Sequence, residues 1–245
     1  MRTYGSPPYR IAVLHGGPGA AGSAAGLARG IATFASVLEP FQCADSIRGQ
    51  ITELRDQLVT HAAPPLVIAG WSWGAMLACL FATEHPPMVA KLILVAVPPF
   101  DEENAARITP ERLRRLSESE RRSVAALPLL EVARLFERID SFDAVPHDPD
   151  EIHADATIHD RVWGEAAELR RSGDLLRIAA AITCPVTIFH GDSDPHPLDG
   201  ARLVASTIRN AKLVTLERCG HTPWIERHAR DPFFRALRAE TESAL

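Results

Sequence analysis

Short continuous apolar runs bounded by Gly and Pro recur along the chain: Tyr9 to Leu14, Ala35 to Leu38, Leu66 to Ala69, Leu92 to Val97, Val186 to Phe189 and Leu213 to Leu216. Runs without polar alternation suit strands of a parallel sheet covered on both faces. Between the second and third runs, Ile47, Ile51, Leu54 and Leu58 share one helical stripe. Helices also fit residues 74 to 84, 200 to 208 and 226 to 239. Strand and helix in alternation predict an α/β fold with a doubly wound, mostly parallel sheet.

From about residue 101 to 180 the alternation stops. Thr109-Pro110-Glu111 reads as a helix start, a capping Thr with Pro at the first helical position. Leu113, Leu116, Leu130, Ala133, Phe136 and Leu169 then suggest amphipathic helices without strands. The expected organisation is a core of residues 1–100 and 181–245 interrupted by an all-helical cap at 101–180. Pro98-Pro99 and Cys184-Pro185 bracket that insertion.

A chain of 245 residues, 46% hydrophobic and 23% charged, has the composition of a globular protein and is long enough to bury a full core. Its net charge of −5 argues against the clustered basic surface of a nucleic-acid binder. Basic residues are almost all Arg, Lys standing only at 91 and 212, a composition suggesting a GC-rich bacterial source. No apolar stretch of signal-peptide length opens the chain, and Cys43, Cys79, Cys184 and Cys219 lack metal-ligand or disulfide spacing, so a cytoplasmic protein with reduced thiols is expected. Residues 62 to 83 carry no charge, yet Gly70-Trp-Ser-Trp-Gly74 divides them into a strand-like and a helix-like half. A buried strand turning into a buried helix is expected there, and no membrane span.

That dividing segment is also the strongest chemical signal. Serine between two glycines, directly after a strand and before a helix, sits on a turn too tight for flanking side chains. Such a turn lifts the hydroxyl to the sheet's carboxyl edge, beside a helix amino terminus that favours negative charge. Ser72 is therefore the candidate nucleophile. His15-Gly16-Gly17-Pro18-Gly19 follows the first strand, and backbone N–H groups of Gly17 and Trp73 could serve as oxyanion donors. No phosphate-loop pattern accompanies these glycines. Of ten histidines, His221 lies past the last strand at the same edge and is the candidate base; His190, His61, His85 and His228 are read as structural or surface residues. The orienting acid should follow the penultimate strand, where Asp194 is preferred to Asp192, the latter a turn former, with Asp101 a remote third choice.

The order Ser72, Asp194, His221 resembles that of the α/β-hydrolase superfamily and differs from the orders of the chymotrypsin and subtilisin types. The segments H-G-G-P-G, G-W-S-W-G, H-G-D-S-D-P and G-H-T-P-W-I-E are similar to that superfamily's oxyanion loop, nucleophile elbow, acid turn and histidine loop. The likeness covers residues 9 to 97 and 182 to 240 and implies an α/β-hydrolase fold with trimmed amino-terminal strands. His15 to Gly19 with Ser72-Trp73-Gly74 also resembles proline iminopeptidases, which recognise a substrate amine through acidic residues in and near the cap. Trp71 stands where those enzymes have glycine, and Glu39-Pro40-Phe41-Gln42-Cys43 replaces their D-x-R-G-x-G-x-S stretch.

The expected activity is hydrolysis of an ester or amide of a small substrate through an acyl-enzyme, with no cofactor and no metal. Trp71, Trp73, Phe100 and Trp224 are expected to line an apolar pocket under the cap. Residues 101 to 171 hold 17 acidic residues against 11 Arg, a net of −6, densest from Glu131 to Asp160. This acidity could attract amines or form solvated helix faces. His147, His153 and His159 recur every six residues, which turns a helix by about 240° and gives them no common face, so a metal site is not expected there. A cofactor-free lyase or perhydrolase on the same triad, and a ligand receptor with a degenerate site, are the alternatives.

Overall fold

The computed structural model describes residues 1–147 and 150–244. Among the described residues nine strands form: β1 Arg2–Tyr4, β2 Ile11–Leu14, β3 Ala20–Ala21, β4 Val37–Glu39, β5 Leu66–Trp71, β6 Val89–Val95, β7 His153–Ala154, β8 Val186–Gly191 and β9 Ala211–Leu216. Seven make one sheet in the order β1-β4-β2-β5-β6-β8-β9. All its pairings are parallel except β1 with β4. The six apolar runs are thus the six parallel strands, and one antiparallel edge strand, β1, precedes them in the chain.

Helices α1 Ala25–Ala32, α2 Ile47–His61, α3 Trp73–Glu84, α10 Leu198–Thr207 and α11 Arg230–Glu242 alternate with the strands; α4 Glu102–Ala105, α5 Ile108–Arg115, α6 Glu118–Ser123, α7 Leu129–Asp140, α8 Ala156–Arg171 and α9 Asp174–Ala180 lie between β6 and β8. Successive strand residues face opposite layers. Ala12, Leu14, Ile68, Leu92 and Ile188 pack with α2, α3, α9 and α10, whereas Ile11, Val13, Val67, Ile93 and Phe189 pack with α1 and α11. Helix α3 is buried from Trp73 to Ala82, which explains its lack of a polar stripe. No described helix is long and apolar enough to cross a membrane; the uncharged segment 62 to 83 is instead β5 followed by α3.

The insertion departs from expectation in two details. It is not purely helical, because His153–Ala154 pairs antiparallel with Ala20–Ala21; two-residue strands are too short to leave a periodic signal. Thr109 is not a cap: α5 begins at Ile108 after Arg107, without a side-chain cap, and Pro110 occupies its first turn, where no N–H is required. Asp101, the remote candidate acid, instead caps α4 by accepting from Asn104 N–H. Val162 and Ala166 of α8 and Leu175 and Ala179 of α9 are buried in the same cluster as the sheet.

Register aligns the strand ends. Leu14 lies opposite Gly70, Trp71 opposite Val95, and Val95 opposite Phe189. The carboxyl ends of β2, β5, β6, β8 and β9 therefore share one edge, where the motif loops emerge.

Candidate active site

Ser72 occupies a left-handed turn, φ 53° and ψ −118°, between β5 and α3. A non-glycine residue at positive φ is strained and holds only where its surroundings enforce it. Here Ser72 N–H donates to Val95 O at 2.9 Å, tying the turn to the end of β6. A Cβ on Gly74 would sit 2.5 Å from Leu14 O, and one on Gly70 would overlap the Gly74 backbone, so both glycines are required by close approach. Trp73 N–H opens α3 and has no helical acceptor. The Trp73 ring is fully buried and donates Nε1–H to Gln50 Oε1 at 2.9 Å.

The histidine loop converges on this elbow. Asp194 carboxylate oxygens lie 2.9 and 3.0 Å from His221 Nδ1, which leaves Nε2 as the ring nitrogen free of the acid. Burial alone would raise the Asp194 carboxyl, but the electrostatic pull of the adjoining His221 and His196 rings and the His221 hydrogen bond outweigh it and hold it well below the usual carboxylate range. His196 donates its backbone N–H to Asp194 Oδ1 at 2.8 Å and sets its ring edge-on to His221, centroids 4.4 Å apart. Burial keeps the His196 imidazole neutral far below its ordinary titration range. Asp192, the competing aspartate, accepts from Ser193 Oγ–H and Cys219 N–H and serves its turn. His190 Nε2 lies 2.9 Å from His196 O and is fully buried.

Ser72, His221, Gly16, Gly17 and Trp71 line one cavity of about 270 Å³, closed above by α5, α7 and α8 through Arg112, Leu129, Val132, Phe136 and Trp163. Trp71 is part of this lining; Trp73, Phe100 and Trp224 are not, the Trp73 ring being buried against Gln50. Phe100 is fully buried in the cluster beneath the sheet, because the chain after β6 turns inward before α4. Trp224 stands behind Trp71, ring centroids 5.1 Å apart, and borders a separate pocket with Gly26 and Phe234. Trp71 in turn donates Nε1–H to His221 O at 2.9 Å and packs 5.4 Å from its ring. Trp71 thus holds the histidine loop in place.

Charged side chains reach the cavity from the cap. Arg112 binds Asp140 through two nitrogens at 2.6 and 2.9 Å and lies over the Phe136 ring. Burial raises the Asp140 carboxyl, with Arg112 opposing. Asp140 O also accepts His221 N–H at 2.9 Å. Glu137 and Asp150 line the same space; burial raises Glu137, while Asp150 pairs with Arg29 at 2.6 Å. Asp148, in the acidic stretch, lies outside the described residues. Outside the cavity, Glu226 accepts N–H bonds from Gly220, Phe142 and Asp143, fastening the histidine loop to the end of α7. Glu226 stands in the histidine motif, but nothing in the spacing announced its partners. His147 lies 3.3 Å from Glu137 and His159 3.0 Å from Asp160, while His153 lies beside Phe41. These three histidines form no common cluster among the described residues.

Residues 11–236 match the model of the alpha/beta hydrolase family, and the chain belongs to that family. It is a hydrolase of that class. It is 27% identical over 199 residues to a pimeloyl-[acyl-carrier protein] methyl ester esterase of Chromobacterium violaceum, covering 77% of this chain and 74% of the relative. An enzyme of the same description from Aromatoleum aromaticum is 27% identical over 192 residues, 72% of this chain and 74% of the relative. Among solved structures, that of VinJ superposes with a TM-score of 0.72 at 17% identity, covering 100% of this chain and 94% of the other, a likeness of fold.

Proposed function

We propose that the protein is a carboxylesterase acting on a small substrate, with Ser72 as nucleophile, His221 as base and Asp194 as orienting acid. The observation that carries this reading is His221, held by Asp194, lining the same cavity as the strained Ser72. The Asp194 carboxylate fixes a proton on His221 Nδ1, so Nε2 can take the proton of Ser72 as its oxygen attacks the acyl carbon. Gly17 and Trp73 N–H groups receive the developing oxyanion; loss of one such donor typically costs 10²–10³-fold in kcat. His221 then protonates the departing alcohol, and a water activated by the same imidazole releases the acid. Apolar walls from Leu129, Val132, Phe136, Trp71 and Trp163 suit an aliphatic acyl group. The esterase descriptions of the two relatives favour an ester over an amide. The setting proposed is the cytoplasm of a bacterium, with a diffusible substrate, no cofactor, and neither nucleic acid nor membrane as partner.

A second reading is favoured by one feature. The half-buried carboxylate of Glu137 faces the cavity, as does that of Asp150, and either could hold a substrate amine. A panel of short-chain p-nitrophenyl esters beside proline naphthylamide and its N-acetyl form separates the two. Turnover of the esters with both amides inert supports the carboxylesterase. A free-amine preference of about tenfold to a hundredfold in kcat/KM, falling with salt and in Glu137→Gln, replaces it with an aminopeptidase.

A further inference from the structure

His196 is a buried imidazole that the hydrolytic scheme does not use. It is 5% exposed, lines the cavity, and its Nδ1 is enclosed without a hydrogen-bond partner. Imidazole nitrogens in protein interiors are ordinarily satisfied, so an orphan beside a carboxylate and a second imidazole calls for a ligand. One donor atom each from Asp194, His196 and His221 lies within 4.8 Å of the other two, and all three residues are buried. This is the one grouping of three such ligands among the described residues.

We propose that Asp194, His196 and His221 form a capture site for a divalent transition-metal ion of the zinc and copper class, and that occupancy arrests the hydrolase. Two imidazoles and a carboxylate are ligands such ions take. Donors around one tetrahedral zinc lie about 3.3 Å apart, so the widest-spaced donors close by up to about 1.5 Å. His221 and His196 already meet edge to face, and both rings border the cavity.

Occupancy has a defined chemical consequence. The ion takes the His221 Nδ1 lone pair and an Asp194 oxygen, breaking the hydrogen bond between them. Neutral His221 keeps its single proton, which moves from Nδ1 to Nε2. No electron transfer occurs, and the +2 ion is balanced in part by the Asp194 carboxylate. With Nε2 protonated, His221 has no lone pair for the Ser72 proton. The arrest rests on the esterase reading above; the binding does not.

The test titrates zinc chloride into EDTA-stripped protein by equilibrium dialysis, without substrate, and in parallel follows ester turnover. The expected result is one ion per chain, with turnover falling in step and returning on EDTA. His196→Phe, which keeps the ring packing but removes both nitrogens, should weaken zinc binding by roughly tenfold or more. His147→Gln, at the outer His147–Glu137 pair, should leave it unchanged. Absence of one-to-one binding, unchanged affinity in His196→Phe, or loss in His147→Gln overturns the site. Should His196→Phe fail to fold, cobalt(II) added to the wild-type chain should shift the ring protons of His196 and His221 together in NMR spectra. Shifts confined to His147 or His159 contradict it. Zinc binding without any ester turnover in metal-free protein would sink the esterase reading and leave the site standing.

Discussion

Glu39 makes stability depend on pH in a calculable way. It ends β4, is fully buried, accepts Tyr4 O–H at 2.9 Å, and lies 3.6 Å from the Arg2 guanidinium, while Oε1 has no partner. Burial lifts its carboxyl from 4.5 to about 7, against the lowering effects of Tyr4 and Arg2. The folded chain therefore keeps a proton up to about pH 7 that the unfolded chain releases near 4.5. Because the native state binds more protons in that window, Glu39's contribution to stability is full below pH 4.5 and is lost as pH rises through 7. At about 1.4 kcal/mol per unit, the loss amounts to about 3 kcal/mol by pH 8, and to about 2.5 kcal/mol between pH 5 and pH 8. Glu39→Gln removes the titration and retains an acceptor for Tyr4. Urea unfolding of both proteins at pH 5 and pH 8 should show the variant gaining about 2.5 kcal/mol on the wild type across that interval. A difference between the two proteins that does not change with pH would refute the reasoning, as would a variant that loses ground toward pH 8.

Other substitutions address the site. Asp194→Asn should lower kcat by about 10⁴-fold through the wrong histidine tautomer, while Asp192→Asn, which disturbs only its turn, should lower it far less; steady-state rates on one ester decide between them, and the reverse order would transfer the role to Asp192. Gly74→Ala drives a Cβ to 2.5 Å from Leu14 O, so helix and strand must separate, with an expected loss of about 1–3 kcal/mol read as a lower urea midpoint. Trp71→Phe keeps an aromatic ring against His221 but removes the bond to His221 O, and should lower kcat with little change in KM; an unaltered kcat would end its positioning role.

Much of this architecture was legible because two periods coexist in the chain. All six apolar runs became parallel strands, since burial on both faces leaves no polar alternation to blur them. Ser72, Asp194 and His221 could be placed at one edge from order alone, because βα connections return successive strand ends to the same side. Strand β1 escaped notice: Arg2-Thr3-Tyr4 is half exposed, and its pairing is supplied by the distant Val37–Glu39. Helix α1 was missed because Ala25–Ala32 is rich in Ala and Gly, whose pattern is weak although Leu27 and Ile31 anchor it. Phe100 and Trp224 were misplaced for another reason: both lie near the right edge, but facing depends on loop conformation, which periodicity does not describe. His196 and Glu226 lie within the motifs, yet their partners come from backbone convergence between distant loops.

The proposed chemistry requires that Ser72 Oγ be the atom that attacks the substrate. Incubating the folded chain with a fluorophosphonate and locating the adduct by peptide mass spectrometry tests this directly, with Ser72→Ala as the partner sample. One adduct per chain on Ser72, none in the variant, and a loss of roughly 10⁴-fold or more in ester turnover is the expected result. An adduct on another side chain, or a folded Ser72→Ala protein that retains most of its activity, would contradict it.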